Sequence, residues 1–309
     1  MKKLLFKIAL LFLPIAIMMR FLASFDRQII TDDLMDVKRV LASEPFDSLD
    51  CLFLGSSYTY SSLNPQQFDS LAWKTYNLSI GGTGIYFLEL IWQDYLKQHK
   101  QAPKRVIIDI SPQTFSNQTD DWTAYPIHRH LLAPISHEAL VWRYAVLSDY
   151  FKLLRKSAYK GWKNIGKRQL IPDLNQDSFA HYRGFYANYT RIDAEIKKRD
   201  ANLLKDLYQA KIVNKKWVHL VEFIAACKRE NIKCYWFVAP TPNLLPYYRI
   251  PYLDAYEDLL KKLRTIEGAI EIPIDNRIFV DSDYRNTDHL NVWGAEKLGK
   301  IIIDFLLMH

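Results

Sequence analysis

The chain has 309 residues, 49% of them hydrophobic and 24% charged, a globular composition that excludes a disordered or fibrous protein. Its formal charge is +7, but Lys2, Lys3, Lys7 and Arg20 sit in an N-terminal segment without acids, and removing those four leaves +3. With no zinc-ligand spacing, RNA-binding signature or helix-turn-helix pattern beside it, so small a charge excludes nucleic acid as a partner.

The chain starts Lys-rich and continues as an apolar stretch from Ile8 to Met19, broken only by Pro14 and closed by Arg20. This reads as a signal anchor or signal peptide over residues 1–25. A span needs roughly 20 residues, and Leu4 to Phe25 reaches that length. No small-x-small cleavage site follows, so a retained anchor is expected. The positive flank then lies in the cytoplasm and residues 26–309 face the periplasm or cell exterior.

After a polar connector, Cys51-Leu-Phe-Leu54 reads as a short buried strand that ends at once in Gly55-Ser56-Ser57. A second strand is expected over Lys74 to Leu78, a helix over Ile85 to His99, and a third strand over Arg105 to Ile110 between Pro103 and Pro112. The pattern resumes with a helix over Asn214 to Glu230, a strand over Cys234 to Ala239, a helix near Leu253 to Ile266, a strand over Ala269 to Ile274, and a last helix after Asn291. Strands alternating with helices imply an α/β fold around a parallel sheet.

Residues from about 117 to 213 lack strand-like alternation and are expected to form a helical insertion between the third and fourth strands. Within it, Lys152 to Arg168 holds seven basic residues and no acid. A solvated helix face is the first reading of that run, and contact with lipid headgroups or an anionic glycan the second. Cys51, Cys227 and Cys234 form neither a disulfide framework nor a zinc site. They are expected to be core thiols, with a Cys227–Cys234 pair the alternative in an exported protein.

Three blocks carry chemistry. A small turn after a parallel strand projects a hydroxyl into the crevice where open α/β sheets bind ligands, which points to Ser57. A serine hydroxyl needs a base to remove its proton, and His289, in Asp288-His289-Leu290-Asn291 before the last helix, can supply one. The glycines of Asn77-Leu-Ser-Ile-Gly81-Gly82-Thr-Gly84 allow a backbone amide to approach a substrate and donate to an oxyanion.

In order and location these blocks resemble those of the SGNH (GDSL-like) hydrolase superfamily. Leu54-Gly-Ser-Ser57, Asn64-Pro65 and His289-Leu-Asn-x-x-Gly-Ala295 look like its membrane-tethered members that assist acyl transfer to envelope polymers, the alginate acetylation and teichoic acid D-alanylation types. The resemblance implies a three-layer, flavodoxin-like parallel sheet. It also implies Ser57 as nucleophile, His289 as base, and an oxyanion hole from the amides of Ser57 and Gly82. The superfamily places an asparagine after the third strand, whereas this chain has Ser111-Pro112-Gln113, so Gln113 is the expected third donor. The triad acid falls on Asn286, which can orient an imidazole but adds no negative charge. Asp288 is acidic, yet a residue adjacent to the histidine is expected to point elsewhere. Asp283 folding back, or a backbone carbonyl, is a further way to hold the ring.

The function so implied is a serine esterase or acyltransferase acting on acyl esters, acetyl above all, of an envelope or exported glycan, with no cofactor or metal. Its partners are an acyl donor, a glycan acceptor and the membrane, and the resemblance allows a multispanning membrane acyltransferase. The alternative is a catalytically silent protein of the same fold that binds glycan. His128 and His130 read as surface imidazoles rather than a metal pair. His181, Arg183, Phe185, Tyr186 and Tyr189 either stack on sugar or pack the insertion. Asp109 either faces the crevice as an acid or ends its strand as a buried partner.

Overall fold

The computed structural model describes residues 49–81, 84–99, 101–118, 183–241 and 244–309, with isolated residues between 14 and 21 and between 155 and 165. Most of the expected N-terminal anchor and of the basic run, with Gly82, His128, His130 and His181, lies outside the described residues. Among the described residues no helix is long and apolar enough to cross a membrane.

The fold is α/β with a five-stranded, all-parallel sheet. Its strands are β1 (Cys51–Leu54), β2 (Thr75–Asn77), β3 (Arg105–Asp109), β4 (Lys233–Phe237) and β5 (Ala269–Glu271). They lie in the order β2-β1-β3-β4-β5, the arrangement of flavodoxin-like sheets. Because side chains alternate across a strand, each central strand serves two cores. Leu52, Leu54, Val106, Ile108, Cys234 and Trp236 enter one layer, and Cys51, Phe53, Ile107, Tyr235 and Phe237 the other. This is why these strands are continuously apolar rather than alternating.

Among the described helices, α1 (Ser57–Ser62) and α6 (Val292–Met308) share one face of the sheet. The other face carries α2 (Ile85–Gln98), α4 (Asn214–Arg229) and α5 (Ile250–Leu263). Helix α3 (Ala194–Leu204) precedes α4. Helix α5 begins three residues before its expected start, because Pro251 stands in its first turn, where a missing N–H costs nothing. Strands β2, β4 and β5 are shorter at their carboxyl ends than expected, although the buried Leu78 and Ile272 just past β2 and β5 still each donate a backbone bond to the adjacent strand.

The three cysteines are buried free thiols. Cys227 and Cys234 are neighbours, and the hydrogen bond between them, together with burial, pushes the Cys234 thiol up. Of the described residues around the basic run, Tyr159, Trp162 and Ile165 are exposed.

Candidate active site

Strands β1 and β3 are adjacent although β2 lies between them in sequence, so the chain reverses direction across the sheet here. The crevice at the carboxyl ends of such strands is where doubly wound sheets bind ligands. Ser57 follows β1, and Asp109 closes β3.

The two serines of the turn have separate tasks. Ser56 caps α1: its Oγ accepts from the Tyr58 amide at 3.2 Å and donates to Asp109 Oδ2 at 3.0 Å. Asp109 Oδ1 accepts from the Ser56 amide at 2.9 Å and from Thr59 Oγ1 at 2.5 Å. Asp109 is therefore the buried partner, 4% exposed, and not a crevice acid. Its desolvation outweighs the three donors and raises its pKa. Gly55, at φ +139°, lies so close to this carboxylate that any Cβ would overlap it. Ser56 is thus consumed by the turn, and Ser57 is turned towards the histidine.

Ser57 Oγ lies 2.7 Å from His289 Nε2. On the opposite side of the ring, Asn286 Oδ1 lies 3.1 Å from Nδ1 and accepts the His289 backbone amide at 2.9 Å. Asp288 Oδ1 lies 2.7 Å from the same Nδ1. Both neighbours present acceptor oxygens, so Nδ1 carries the proton and Nε2 keeps a lone pair for the serine hydroxyl. Burial alone would push Asp288 up, but the His289 imidazole and the Arg285 guanidinium together hold its carboxyl below the usual value.

The expectation that Asp288 points away from the ring is therefore overturned. The reason is the shape of the loop. Tyr284 and Leu290 form an isolated antiparallel bridge, the Arg285 amide donates to His289 O at 3.0 Å, and the intervening residues close into a tight turn. At its apex Thr287 donates from both its amide (2.9 Å) and its hydroxyl (3.0 Å) to Asp200 Oδ2 on α3. That leaves Asn286 and Asp288 flanking one imidazole. Asp283 does not fold back to the ring: its carboxylate accepts from the Val280 amide and pairs with Lys297.

Tyr58 covers the other side, its ring stacked on His289 at 5.2 Å and its hydroxyl donating to Asp288 Oδ2 at 3.4 Å. Burial, then the Asp288 charge, pushes the Tyr58 phenol well up, so it remains a neutral donor.

No protein-family model and no curated protein matches the chain.

The remaining expected residues divide. The Ser57 amide opens α1, where the first N–H groups have no intrahelical acceptor. Gln113 lies in the short turn Pro112–Phe115 that follows β3. The neighbouring Asn77 ties the glycine block to α1: its Nδ2 donates to Thr59 O at 3.0 Å and Leu63 O at 2.9 Å.

A strap over residues 183–193 joins all three blocks. The Asn77 amide donates to Arg183 O, Tyr186 N to Tyr60 O, Val292 N to Asn188 O, and Ile192 N to Tyr284 O. Within it Phe185, 1% exposed, is core and not a sugar platform. Tyr186 stands edge-on to Tyr60, and Tyr189 meets Trp293 at the surface. Arg183 pairs with Asp69.

Sequence reasoning missed Asp200, Tyr58 and the strap. Asp109 carried a signal in its position at the end of a central strand beside the serine turn. Asp200 carried none, because an acid on a polar helix is ordinary until its partner is known.

Proposed function

We propose that this chain is a serine esterase or O-acyltransferase of the SGNH type, with Ser57 as nucleophile and His289 as base. The observation that carries the reading is the 2.7 Å contact between Ser57 Oγ and a His289 Nε2 whose other nitrogen faces two acceptors. The β2-β1-β3-β4-β5 order supports it, as do a serine after the first strand and a histidine before the last helix.

In this mechanism His289 Nε2 takes the Ser57 proton as Oγ attacks the ester carbonyl. The resulting imidazolium is stabilised by Asp288 and oriented by Asn286. The Ser57 amide donates to the oxyanion, as does Gly82 by its position in the glycine block, at about 3 kcal/mol per donor. Collapse of the tetrahedral intermediate expels the alcohol, which takes the proton from Nε2, and leaves acyl-Ser57. A second hydroxyl, from a glycan or from water, then gives its proton to Nε2 and attacks, and Ser57 leaves with that proton. The acyl group is acetyl in the simplest case, and the acceptor is an envelope or exported glycan. The Lys-rich apolar N-terminus holds the enzyme on the outer side of the membrane, where a multispanning acyltransferase can supply the donor.

The test is intact mass of the full chain in detergent after treatment with a fluorophosphonate probe. One adduct is expected on the wild type and none on Ser57→Ala or His289→Ala. A folded protein without an adduct, or an adduct that survives Ser57→Ala, removes the reading.

A further inference from the structure

Arg285 stands four residues before His289, and its charge reaches Asp288 beside the imidazole. Its backbone belongs to the His289 loop, and its guanidinium carbon lies 4.9 Å from the centroid of the Tyr186 ring. Nη2 donates to Tyr60 Oη at 3.4 Å, a long bond and the one side-chain hydrogen bond it makes among the described residues. Nε is buried without an acceptor. Tyr60 is one helical turn from Ser57, and its ring lies against Gly81 of the glycine block so closely that a Cβ there would overlap it. Arg285 is therefore separated by one aromatic ring from the glycine block.

Two other arginines of this domain are neutralised by carboxylates. Arg264 clamps Glu271 through Nε and Nη2, and Arg277 clamps Asp275 in the same way. Arg285 has no such partner among the described residues, and the nearest functional carboxylate, Asp288, is committed to His289 and Tyr58. A half-buried guanidinium held against one ring face and short of acceptors is costly to keep. Its planar fork matches the paired oxygens of a carboxylate or phosphate. A substrate carrying such a group would also meet the negative charge of Asp288, and Arg285 offsets that repulsion.

We propose that Arg285 is a specificity residue that binds a carboxylate or phosphate on the ester substrate, so that the site selects acyl esters of anionic alcohols over neutral ones. The proposal rests on the Ser57 reading above.

It is tested with the full chain in detergent on three acetate esters of matched shape: 4-acetoxybenzoate, 4-acetoxyphenyl phosphate and the neutral 4-acetoxybenzamide. The wild type should favour at least one anionic ester over the amide by about tenfold or more in kcat/KM, the range of a charged hydrogen bond. The preferred anion distinguishes carboxylate from phosphate. Arg285→Gln should bring the anionic-to-neutral ratio to about one through KM, and Arg285→Lys, which keeps charge without the fork, should fall between. Equal wild-type rates on all three esters overturn the proposal, as does an Arg285→Gln variant that loses the three rates in equal proportion. Turnover without charge preference sinks this inference alone. Absence of turnover together with absence of Ser57-dependent probe labelling sinks the esterase reading beneath it.

Discussion

Ser57 and His289 meet in one hydrogen bond, but the chain holds them in place by different means. The serine turn is braced from inside the sheet: β1 ends, Asp109 on the adjacent β3 collects three donors, and Gly55 leaves room for that carboxylate. The histidine loop is braced from outside it, by Asp200 on α3, 87 positions before Thr287, and by the strap at residues 183–193. The first support belongs to the minimal α/β core. The second is contributed by the segment between β3 and β4. Order at Ser57 should thus track global stability, whereas order at His289 should track the insertion.

The largest effect is expected at the His289 ring itself. Replacing Asp288 by Asn removes the charge beside Nδ1, and kcat on an aryl acetate should fall about thousandfold, roughly 4 kcal/mol in the barrier. A loss within threefold would mean that Asn286 alone sustains the imidazolium. Asp288 has a lowered folded pKa, so its contribution to stability is present above the unfolded value near 4. It is lost as pH falls through the folded value, and the Asn variant should therefore show a weaker acid destabilisation than the wild type.

On the sheet side, Asp109→Ala leaves three donors without an acceptor and should cost about 3 kcal/mol in urea unfolding. Asp109→Asn keeps an acceptor oxygen for the Ser56 amide and the Thr59 hydroxyl, while its Nδ2 can donate to Ser56 Oγ, and should cost about 1 kcal/mol or less at low pH. Asp109 has a raised folded pKa, so the wild type loses stability relative to this Asn variant as pH rises through that value. A gap between the two that widens in the opposite direction would contradict burial as the cause.

The smallest effect belongs to the outer brace. Asp200→Ala frees Thr287, and the fluorophosphonate labelling rate of Ser57 should fall about tenfold while the melting temperature moves by only about 2 to 6 °C. A melting shift as large as that of Asp109→Ala, with labelling unchanged, would show that both supports belong to one cooperative core.

The parallel sheet was legible because strands buried on both faces are written as unbroken apolar runs, and Cys51 to Leu54 and Arg105 to Ile110 have no other reading. The serine turn was legible for a similar reason, since Gly55-Ser56-Ser57 follows a strand with nothing between. The start of α5 is also written in the sequence, in Pro251, two residues before the apolar periodicity begins.

The sequence alone determined which residue types stand at the ends of which elements: a hydroxyl after β1, glycines after β2, an imidazole before α6. Those are local facts, set by strand length, turn chemistry and helix starts. The tertiary structure alone decided which serine faces the imidazole, which oxygens face its far nitrogen, and which acid holds the loop. Each of these depends on contacts across 50 to more than 200 positions. Asn286 and Asp288 are neighbours of His289 in sequence, and their side chains flank its ring in a loop whose middle residue, Thr287, is anchored by Asp200.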